Sequence, residues 1–243
     1  GLANLKLQEI DEPELKDHQV RVKIQAASLN YRDLMVLNGH YNPKQPLPLI
    51  PLSDGAGVVV EVGPEVKKVA LGDKVCATFS QSWSHGPPTA DTYKNTLGSP
   101  LPGMLKEHGV FHEDGLVKYP EHLDVVEAST LPCAGVTAFN AIMCQGLRPG
   151  DTVLLQGTGG VSLFSLQLAK ILGLNIIITS SSDEKLKKAQ DLGAEQCINY
   201  IKCPDWAQEV QNLTQGLGVD AVVEVGGAKT LASSIRSVKK SGS

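Results

Sequence analysis

A chain of 243 residues, 42% hydrophobic and 20% charged, is long enough for two ordinary globular domains. Its formal net charge of −4 argues against nucleic acid as a partner, because such binding depends on Lys and Arg neutralising phosphates. The five cysteines include no C-x-x-C pair, the N-terminus has no signal-peptide pattern, and no run reaches the roughly 18 apolar residues of a membrane span. We therefore expect a cytoplasmic protein without a membrane partner.

The first half of the sequence is predicted to be rich in short antiparallel strands. The segment Gln19–Ser28 alternates small or apolar residues with polar ones, as a half-buried strand does. Residues 55–62 and 75–78 are two further predicted strands, each next to a glycine-containing turn. Residues 80–103 are rich in Ser, Gly, Pro and Thr, which predicts a long loop or lid.

The second half of the sequence predicts strands that alternate with helices. A helical period covers residues 124–146. The predicted elements that follow are strand 152–156, helix 162–172, strand 175–179, helix Asp183–Leu192 and strand 221–225. This alternation implies right-handed crossovers and a parallel sheet, so we predict an α/β fold with domains at residues 1–122 and 123–243.

The strongest motif is QGTGGVS at residues 156–162, where a predicted strand turns into a helix. Its first glycine permits the tight turn, and the next two let the backbone approach a diphosphate. The free N–H groups and the positive dipole end of the following helix favour that anion. A small residue, Ser162, occupies the third glycine position of the motif. The residues predicted to contact a dinucleotide here are Gly157, Thr158, Gly159, Gly160 and Val161.

The end of the next strand bears on which nucleotide is bound. Where NAD-preferring proteins place a carboxylate on the ribose 2′-hydroxyl, this chain has Ser180 and Ser181. Hydroxyl groups, together with the positive charge of Lys185, favour a 2′-phosphate and predict NADP(H), with NAD(H) as the alternative. The other interpretation is that the serines at 180–182 only cap the helix that begins at Asp183.

Five segments together resemble the medium-chain dehydrogenase/reductase superfamily, and within it the quinone oxidoreductase-like and zinc-free alcohol dehydrogenase-like branch. They are NYRDLMVLNGHY at 30–41, DGAGVVVEVG at 54–63, LGDKV at 71–75, LPCAGVTAFNAI at 131–142 and QGTGGVS at 156–162. The resemblance implies a GroES-like, partly open β-barrel catalytic domain followed by a Rossmann domain with a doubly wound parallel sheet. We expect that Rossmann domain to be incomplete in this chain.

The resemblance also bears on metal binding. Zinc-dependent relatives carry Cys, His and Cys as catalytic ligands at positions that match Asn30, Ser53 and Cys133. Amides and hydroxyls are not usual zinc ligands, so no catalytic zinc is expected. The cysteine-rich lobe that holds a structural zinc in those relatives would fall within residues 80–103, which contain no cysteine. Cys133 is then expected to be a buried helix residue.

The same resemblance implies the substrate-facing residues. Asn30 and Tyr31 are the candidates for polarising a substrate oxygen, with Tyr41 as a second phenol. Asp33 and Asp54 match acidic positions behind the substrate pocket and are expected to order the barrel.

Further cofactor contacts are implied in the second domain. Thr137 matches a residue that contacts the nicotinamide, and Tyr200 matches a tyrosine that flanks the adenosine phosphate in NADP-using relatives. Alternatively, Thr137 packs within a helix and Tyr200 ends a strand. Val225 and Gly226, at the end of the last predicted strand, complete the candidates for cofactor binding.

The histidines offer one pair at a regular spacing, His108 and His112 in the strand-like segment HGVFH. A separation of four residues puts both side chains on one face of a strand. We expect this pair to lie on the surface or to pack the barrel rather than to bind metal.

Hydride transfer without a metal Lewis acid requires hydrogen-bond donors at the substrate oxygen. Reduction of an enone, quinone or related carbonyl compound by NADPH fits this requirement better than alcohol oxidation, which forms an alkoxide-like transition state. The alternatives are an alcohol dehydrogenase-like enzyme and a non-catalytic NADPH-binding redox sensor. The resemblance further implies a small-molecule substrate and a homo-dimer or tetramer.

Overall fold

The alternation along Gln19–Ser28 forms the longest strand of an antiparallel sheet, in a computed structural model that describes residues 1–243. The strands of this sheet in chain order are β1 (Gln19–Ser28), β2 (Asp54–Val62), β3 (Lys74–Ala77), β4 (His108–His112) and β5 (Leu116–Lys118). Across the sheet they lie in the order β4-β1-β2-β3-β5, and every neighbouring pair is antiparallel. The three predicted strands of this half are confirmed to within about a residue at each end.

Strands β1 and β2 approach closely where β2 contains glycine. A Cβ atom on Gly57 would lie 2.0 Å from the carbonyl oxygen of Lys23, so no other residue fits there without moving the backbone. The pairing register shifts near this contact, between Ile24 and Ala26. Such irregularities bend a strand, which helps the sheet to curl.

Three short helices accompany this sheet: α1 (Tyr31–Leu37), α2 (Ala90–Lys94) and α3 (Val125–Ser129). Apart from α2, the predicted loop at residues 80–103 is irregular. Helix α3 packs on β1 and β2, and the Cys76 thiol donates a hydrogen bond to the carbonyl oxygen of Ala128 at 3.2 Å. The compact units of the chain are therefore Gly1–Cys133 and Ala134–Ser243, a later division than the predicted one after residue 122.

The second unit contains the predicted parallel sheet. Its elements are α4 (Val136–Met143), β6 (Thr152–Leu155), α5 (Gly160–Ile171), β7 (Asn175–Ser180), α6 (Asp183–Leu192), β8 (Gln196–Asn199), α7 (Trp206–Leu213), β9 (Ala221–Val223) and α8 (Leu231–Ser237). The strand order is β8-β7-β6-β9, with all pairs parallel. Because β9 lies on the side of β6 opposite to β7, the order reverses between β6 and β9.

Alternate strand residues bury opposite faces of this sheet, as the two-residue period of a strand requires. Val153 and Leu155 of β6 lie in a core cluster with residues of α4, α5 and α6. Leu154 lies in a separate cluster with Trp206 and Val210 of α7. Helices on both faces confirm the predicted doubly wound arrangement.

Glu113 follows β4 and ties together a turn of the first unit. Its carboxylate accepts hydrogen bonds from the backbone N–H groups of Lys67 and Lys68, each at 2.7 Å, and lies 3.0 Å from Nδ1 of His18. Chiefly because of the two backbone hydrogen bonds, and despite burial, the pKa of Glu113 falls to about 2. The ionised carboxylate is thus favoured by the folded state.

Glu113→Gln is expected to reduce the loss of stability at acid pH. A pKa lowered from 4.5 to about 2 contributes stability above pH 4.5 that is lost as the pH falls towards 2. The native protein's thermal midpoint, followed by circular dichroism from pH 6 to pH 3, should therefore fall more steeply than that of the variant. Glu121→Gln, which alters an exposed carboxylate, is the control. Parallel curves for the native protein and Glu113→Gln would contradict this role.

His108 and His112 lie on the outward face of β4, as predicted. Nδ1 of His108 lies 2.6 Å from Oε1 of Glu12, and the backbone N–H of Asp114 donates to Nδ1 of His112 at 3.2 Å. Each ring is thus engaged by a different partner.

No helix combines the length and the apolar character that crossing a bilayer requires.

Candidate functional site

The glycine turn after β6 has the conformation that the motif predicts. Gly157 has a φ of +71°, a left-handed conformation that glycine adopts without strain, and Gly159 is the N-cap residue of α5 with a φ of −81°. A Cβ atom at Gly157 or Gly159 would meet nothing within 4 Å, so the space above the turn is open. This opening lies at the carboxyl end of β6, where open parallel sheets bind their ligands.

The start of α5 leaves backbone donors free for a ligand. The first bond of this helix runs from the N–H of Leu163 to the carbonyl oxygen of Gly159 at 3.0 Å, so the three preceding N–H groups have no partner within the helix. Helix α5 has neither a side-chain cap nor an acidic residue in its first turn, whereas α6 and α7 have both. A free and uncapped helix start is a ready anion site.

Ser162 explains how the motif works without its third glycine. Its hydroxyl donates a hydrogen bond to the carbonyl oxygen of Gln156 at 2.6 Å. The side chain is fully buried between helix and strand, where the third glycine of the motif allows close packing. The hydroxyl therefore fastens α5 to the end of β6.

The glycine turn is joined to the end of β7, where the predicted adenosine-side residues lie. The N–H of Gly157 donates to Oγ1 of Thr179 at 3.2 Å, and Oγ1 of Thr158 lies 3.3 Å from Oγ of Ser180. The N–H of Tyr200 donates to the carbonyl oxygen of Ser180 at 3.1 Å. The fold thus gathers residues that are distant in the sequence at one edge of the sheet.

The serines at the end of β7 have separate roles. Ser182 alone caps α6, through its hydroxyl and the N–H of Lys185 at 3.4 Å. The side chains of Ser181 and Lys185 are exposed, and Ser180 is buried beside the glycine turn. The capping interpretation therefore applies to Ser182 and not to the other two serines.

A carboxylate near this strand end is held by its own partners. Asp183 accepts hydrogen bonds from Nδ2 of Asn199 at 2.6 Å and from Nζ of Lys202 at 2.5 Å. These contacts, that of Lys202 first, lower the pKa of Asp183. Its charge is thereby offset by a neighbouring cation.

The remaining cofactor candidates differ in what they offer a ligand. Thr137 in α4 and Val225 after β9 are exposed. The N–H of Gly226, in contrast, donates to Oε1 of Gln156 at 3.2 Å and to Oε1 of Glu224 at 2.7 Å, so this amide is already occupied. The roles of the buried Gln156 and the half-buried Glu224 were not predicted from the sequence, and no local pattern marks them.

The catalytic candidates of the first unit cluster at the start of α1. Asn30 is the N-cap residue of this helix. Its Nδ2 is buried and makes no hydrogen bond of full geometry, although the Asn30 side chain lies close enough to Asp54 to lower the pKa of that carboxyl. Tyr31 is highly exposed. Tyr41 stacks on the guanidinium of Arg32 at 4.5 Å.

Arg32, which the sequence did not single out, fixes that tyrosine. Its guanidinium lies between Tyr41 and Phe79, 4.7 Å from the latter ring, and donates hydrogen bonds to the carbonyl oxygens of Leu97 at 2.9 Å and Ser99 at 2.7 Å. Cation–π contact and charge-assisted hydrogen bonds together hold Tyr41 and the loop containing Ser99 to α1.

Asp54 organises the positions that match zinc ligands in zinc-dependent relatives. One carboxylate oxygen accepts from the hydroxyl of Ser53 at 2.7 Å, and the other accepts from the backbone N–H of Cys133 at 2.9 Å. Burial raises the pKa of Asp54 and that of Asp33, the carboxylate that accepts from the N–H of Asn30 at 2.8 Å. Both carboxylates therefore act as hydrogen-bond acceptors for the backbone and side chains around them.

This donor set does not fit a catalytic zinc. Its three positions offer an amide, a buried hydroxyl and a single thiol, and no three His, Cys, Asp or Glu side chains in the chain are placed to share a metal ion. Cys133 is half-buried in a π-helical turn, Leu131–Gly135, rather than in a regular α-helix. Burial, followed by the charge of Asp54, raises the pKa of the Cys133 thiol to about 11, which disfavours a nucleophilic role.

Comparison with known proteins assigns both halves of the chain. Residues 16–121 match the alcohol dehydrogenase GroES-like domain, and residues 160–243 match the zinc-binding dehydrogenase family. A zinc-type alcohol dehydrogenase-like protein of Schizosaccharomyces pombe is 43% identical over all of this chain and 71% of its own length.

Solved structures give the same assignment. An alcohol dehydrogenase structure from Sinorhizobium meliloti 1021 is 44% identical over 98% of this chain and 71% of its own, with a TM-score of 0.91. The quinone oxidoreductase of Pseudomonas syringae pv. tomato DC3000 is 29% identical over 96% of this chain and 66% of its own, with a TM-score of 0.76. The chain belongs to the medium-chain dehydrogenase/reductase superfamily of NAD(P)-dependent oxidoreductases.

Proposed function

We propose that this protein is an NADPH-dependent reductase of enones, quinones or related carbonyl compounds that works without zinc. The observation that carries the proposal is the open glycine turn and uncapped start of α5, tied by Thr158 to Ser180 at 3.3 Å. Backbone N–H groups there suit a diphosphate, and hydroxyls with Lys185 suit a 2′-phosphate. No carboxylate occupies the last position of β7, where it would repel that phosphate.

The side chains of the first unit supply what the reaction needs in place of a metal. When bound, the nicotinamide supplies a hydride and the protein must polarise the acceptor oxygen. Nδ2 of Asn30 suits that role, because it is a donor without a well-formed hydrogen bond in the protein, and a substrate oxygen would complete its hydrogen bonding. Arg32 limits the movement of the Tyr41 phenol, which we propose as a second donor.

A second candidate function is alcohol dehydrogenation, which the names of the relatives in Schizosaccharomyces pombe and Sinorhizobium meliloti favour. The donors at Asn30, Ser53 and Cys133 support the zinc-free reductase instead, since an alkoxide would lack its strongest stabiliser there. A non-catalytic NADPH sensor is the third candidate. Each candidate predicts a different result in one set of assays.

The purified protein is expected to contain less than about one-tenth of a zinc ion per chain and to keep its activity in EDTA, because three protein donors are the norm for a catalytic zinc. Elemental analysis and NADPH oxidation with a panel of enones, quinones and aldehydes measure this. Stoichiometric zinc with chelator-sensitive alcohol oxidation would establish the second candidate. Tight NADPH binding without turnover of any panel member would establish the third.

A further inference from the structure

A half-buried carboxylate links the glycine turn to the loop that follows β9. Oε1 of Glu224 accepts hydrogen bonds from the N–H groups of Gly226 at 2.7 Å and Gly227 at 2.9 Å. Its other oxygen, Oε2, accepts from Nε2 of Gln156 at 2.8 Å and from the hydroxyl of Ser234. Gln156 is the residue immediately before the glycine turn.

Gln156 completes the connection through the other end of its amide. Its Oε1 accepts from the N–H groups of Val225 at 3.3 Å and Gly226 at 3.2 Å. The hydroxyl of Thr230 donates to Oε1 of Glu224 at 2.7 Å, and a Cβ atom on Gly226 would lie 2.3 Å from that hydroxyl oxygen. The loop is therefore fixed from both sides in one conformation.

The network lies where the order of the parallel strands reverses. Strands β6 and β9 are neighbours, and the strand order reverses between them. In open parallel sheets this reversal, at the carboxyl ends of the strands, is where a ligand lies. Glu224 and Gln156 span that position, and Val225 beside them is exposed.

We propose that Glu224 is a positioning residue for the nicotinamide half of a bound nucleotide, acting through Gln156 and through the backbone of the loop at residues 225–227. This proposal rests on the proposed function. In this role the carboxylate does not need to touch the ligand. It fixes two loops at the point where the strand order reverses. Second-sphere groups of this kind orient the atoms that do contact a ligand.

The electrostatics of the network agree with this role. Burial alone would raise the pKa of Glu224, but hydrogen bonds, led by those from Ser234, Thr230 and Gln156, lower it overall. An ionised carboxylate surrounded by donors gives stronger and more directional bonds than an amide would. In Glu224→Gln the amide –NH₂ group would face a donor in either orientation, Nε2 of Gln156 in one and the N–H groups of Gly226 and Gly227 in the other, and so would release the loop.

Asp220 provides a matched control at the opposite end of β9. Its carboxylate accepts from the N–H of Thr152 at 2.8 Å and from Nζ of Lys239, so it also joins β9 to β6. It lies at the amino ends of these strands, away from the edge that carries the glycine turn. Asp220→Asn therefore removes the same kind of link without changing the loops at the carboxyl ends.

The test measures nucleotide dissociation constants and thermal midpoints for the native protein, Glu224→Gln and Asp220→Asn. Titration calorimetry is done with NADPH, with NADH, and with adenosine 2′,5′-bisphosphate, which carries the adenosine half alone. Glu224→Gln is expected to raise the Kd of the dinucleotide about tenfold, and that of the adenosine fragment less than about twofold. Asp220→Asn is expected to lower the thermal midpoint but to leave both constants unchanged.

The outcomes separate the two proposals. If neither dinucleotide binds the native protein, the proposed function and this assignment fall together. If the native protein binds but Glu224→Gln leaves the dinucleotide Kd unchanged, or weakens both ligands equally, only the positioning role is overturned. If Asp220→Asn loses as much dinucleotide affinity as Glu224→Gln, the loss reflects reduced stability in general, and the positioning role is overturned in that case too.

Discussion

Gly159→Ala is expected to remove most of the nucleotide affinity while leaving the thermal midpoint within a few degrees of the native value. The backbone of Gly159 has a φ of −81°, which alanine adopts readily, and the added Cβ would meet no protein atom within 4 Å. That methyl group would occupy the space through which a diphosphate approaches the N–H groups of α5. Losing two charge-assisted hydrogen bonds of about 1.5 kcal/mol each raises the Kd roughly 100-fold.

Gly157→Ala is the matched comparison for this prediction. Because Gly157 has a φ of +71°, alanine there should cost about 1 kcal/mol of folding free energy and lower the thermal midpoint. Calorimetric titration with NADPH and thermal unfolding of both variants distinguish a lost ligand site from a strained turn. A Gly159→Ala protein that still binds the native amount of NADPH with unchanged affinity would rule out the glycine turn as the diphosphate site.

Ser180→Asp is expected to change the preferred nucleotide from NADPH to NADH. The substitution puts a carboxylate at the last residue of β7, next to the glycine turn that contains Thr158. A carboxylate repels a 2′-phosphate and accepts a hydrogen bond from a 2′-hydroxyl. Like charges near 4 Å at a protein surface repel by a few kcal/mol, so the ratio of kcat/KM for NADPH to that for NADH should fall about 100-fold.

Lys185→Ala tests the same preference without a buried charge. Ser180 is only 3% exposed, so an aspartate there also carries a folding cost, whereas the Lys185 side chain is exposed. We expect this second variant to lose about tenfold in kcat/KM with NADPH and to be unchanged with NADH. Steady-state rates with both nucleotides give the ratios. Equal ratios in the native protein and in both variants would eliminate the NADP preference.

Features set by neighbouring residues were predictable from the sequence. The two-residue alternation of Gln19–Ser28 predicted a strand with the observed bounds. The capping residue before Asp183 and the glycine after Leu192 likewise predicted helix α6 with its observed bounds. The glycine turn at 157–160 was identified for the same reason, since its conformation depends on which residues lack a side chain. Helix α7 carried such a local signal as well: Asp205 caps it, and it buries Trp206 and Val210, although it was not predicted.

Features that depend on contacts across the chain were not predictable. The boundary of the first unit moves to Cys133 because α3 packs on β1 and β2, which no period in residues 123–133 indicates. Asp54 reaches the N–H of Cys133, 79 positions along the chain. Arg32 stacks between Tyr41 and Phe79 because folding brings separate loops together.

By itself, the sequence determined that strands alternate with helices after residue 150, that a glycine turn opens one of those helices, and that the three zinc-ligand positions hold only one thiol. The first two properties follow from residue type and local spacing, and the third follows from the resemblance to zinc-dependent relatives. Only the tertiary structure decided that Gln156 meets Glu224 and that Thr158 meets Ser180. Crossover connections bring the ends of parallel strands to a common edge, and which side chains meet there depends on strand order, which is a property of the whole sheet.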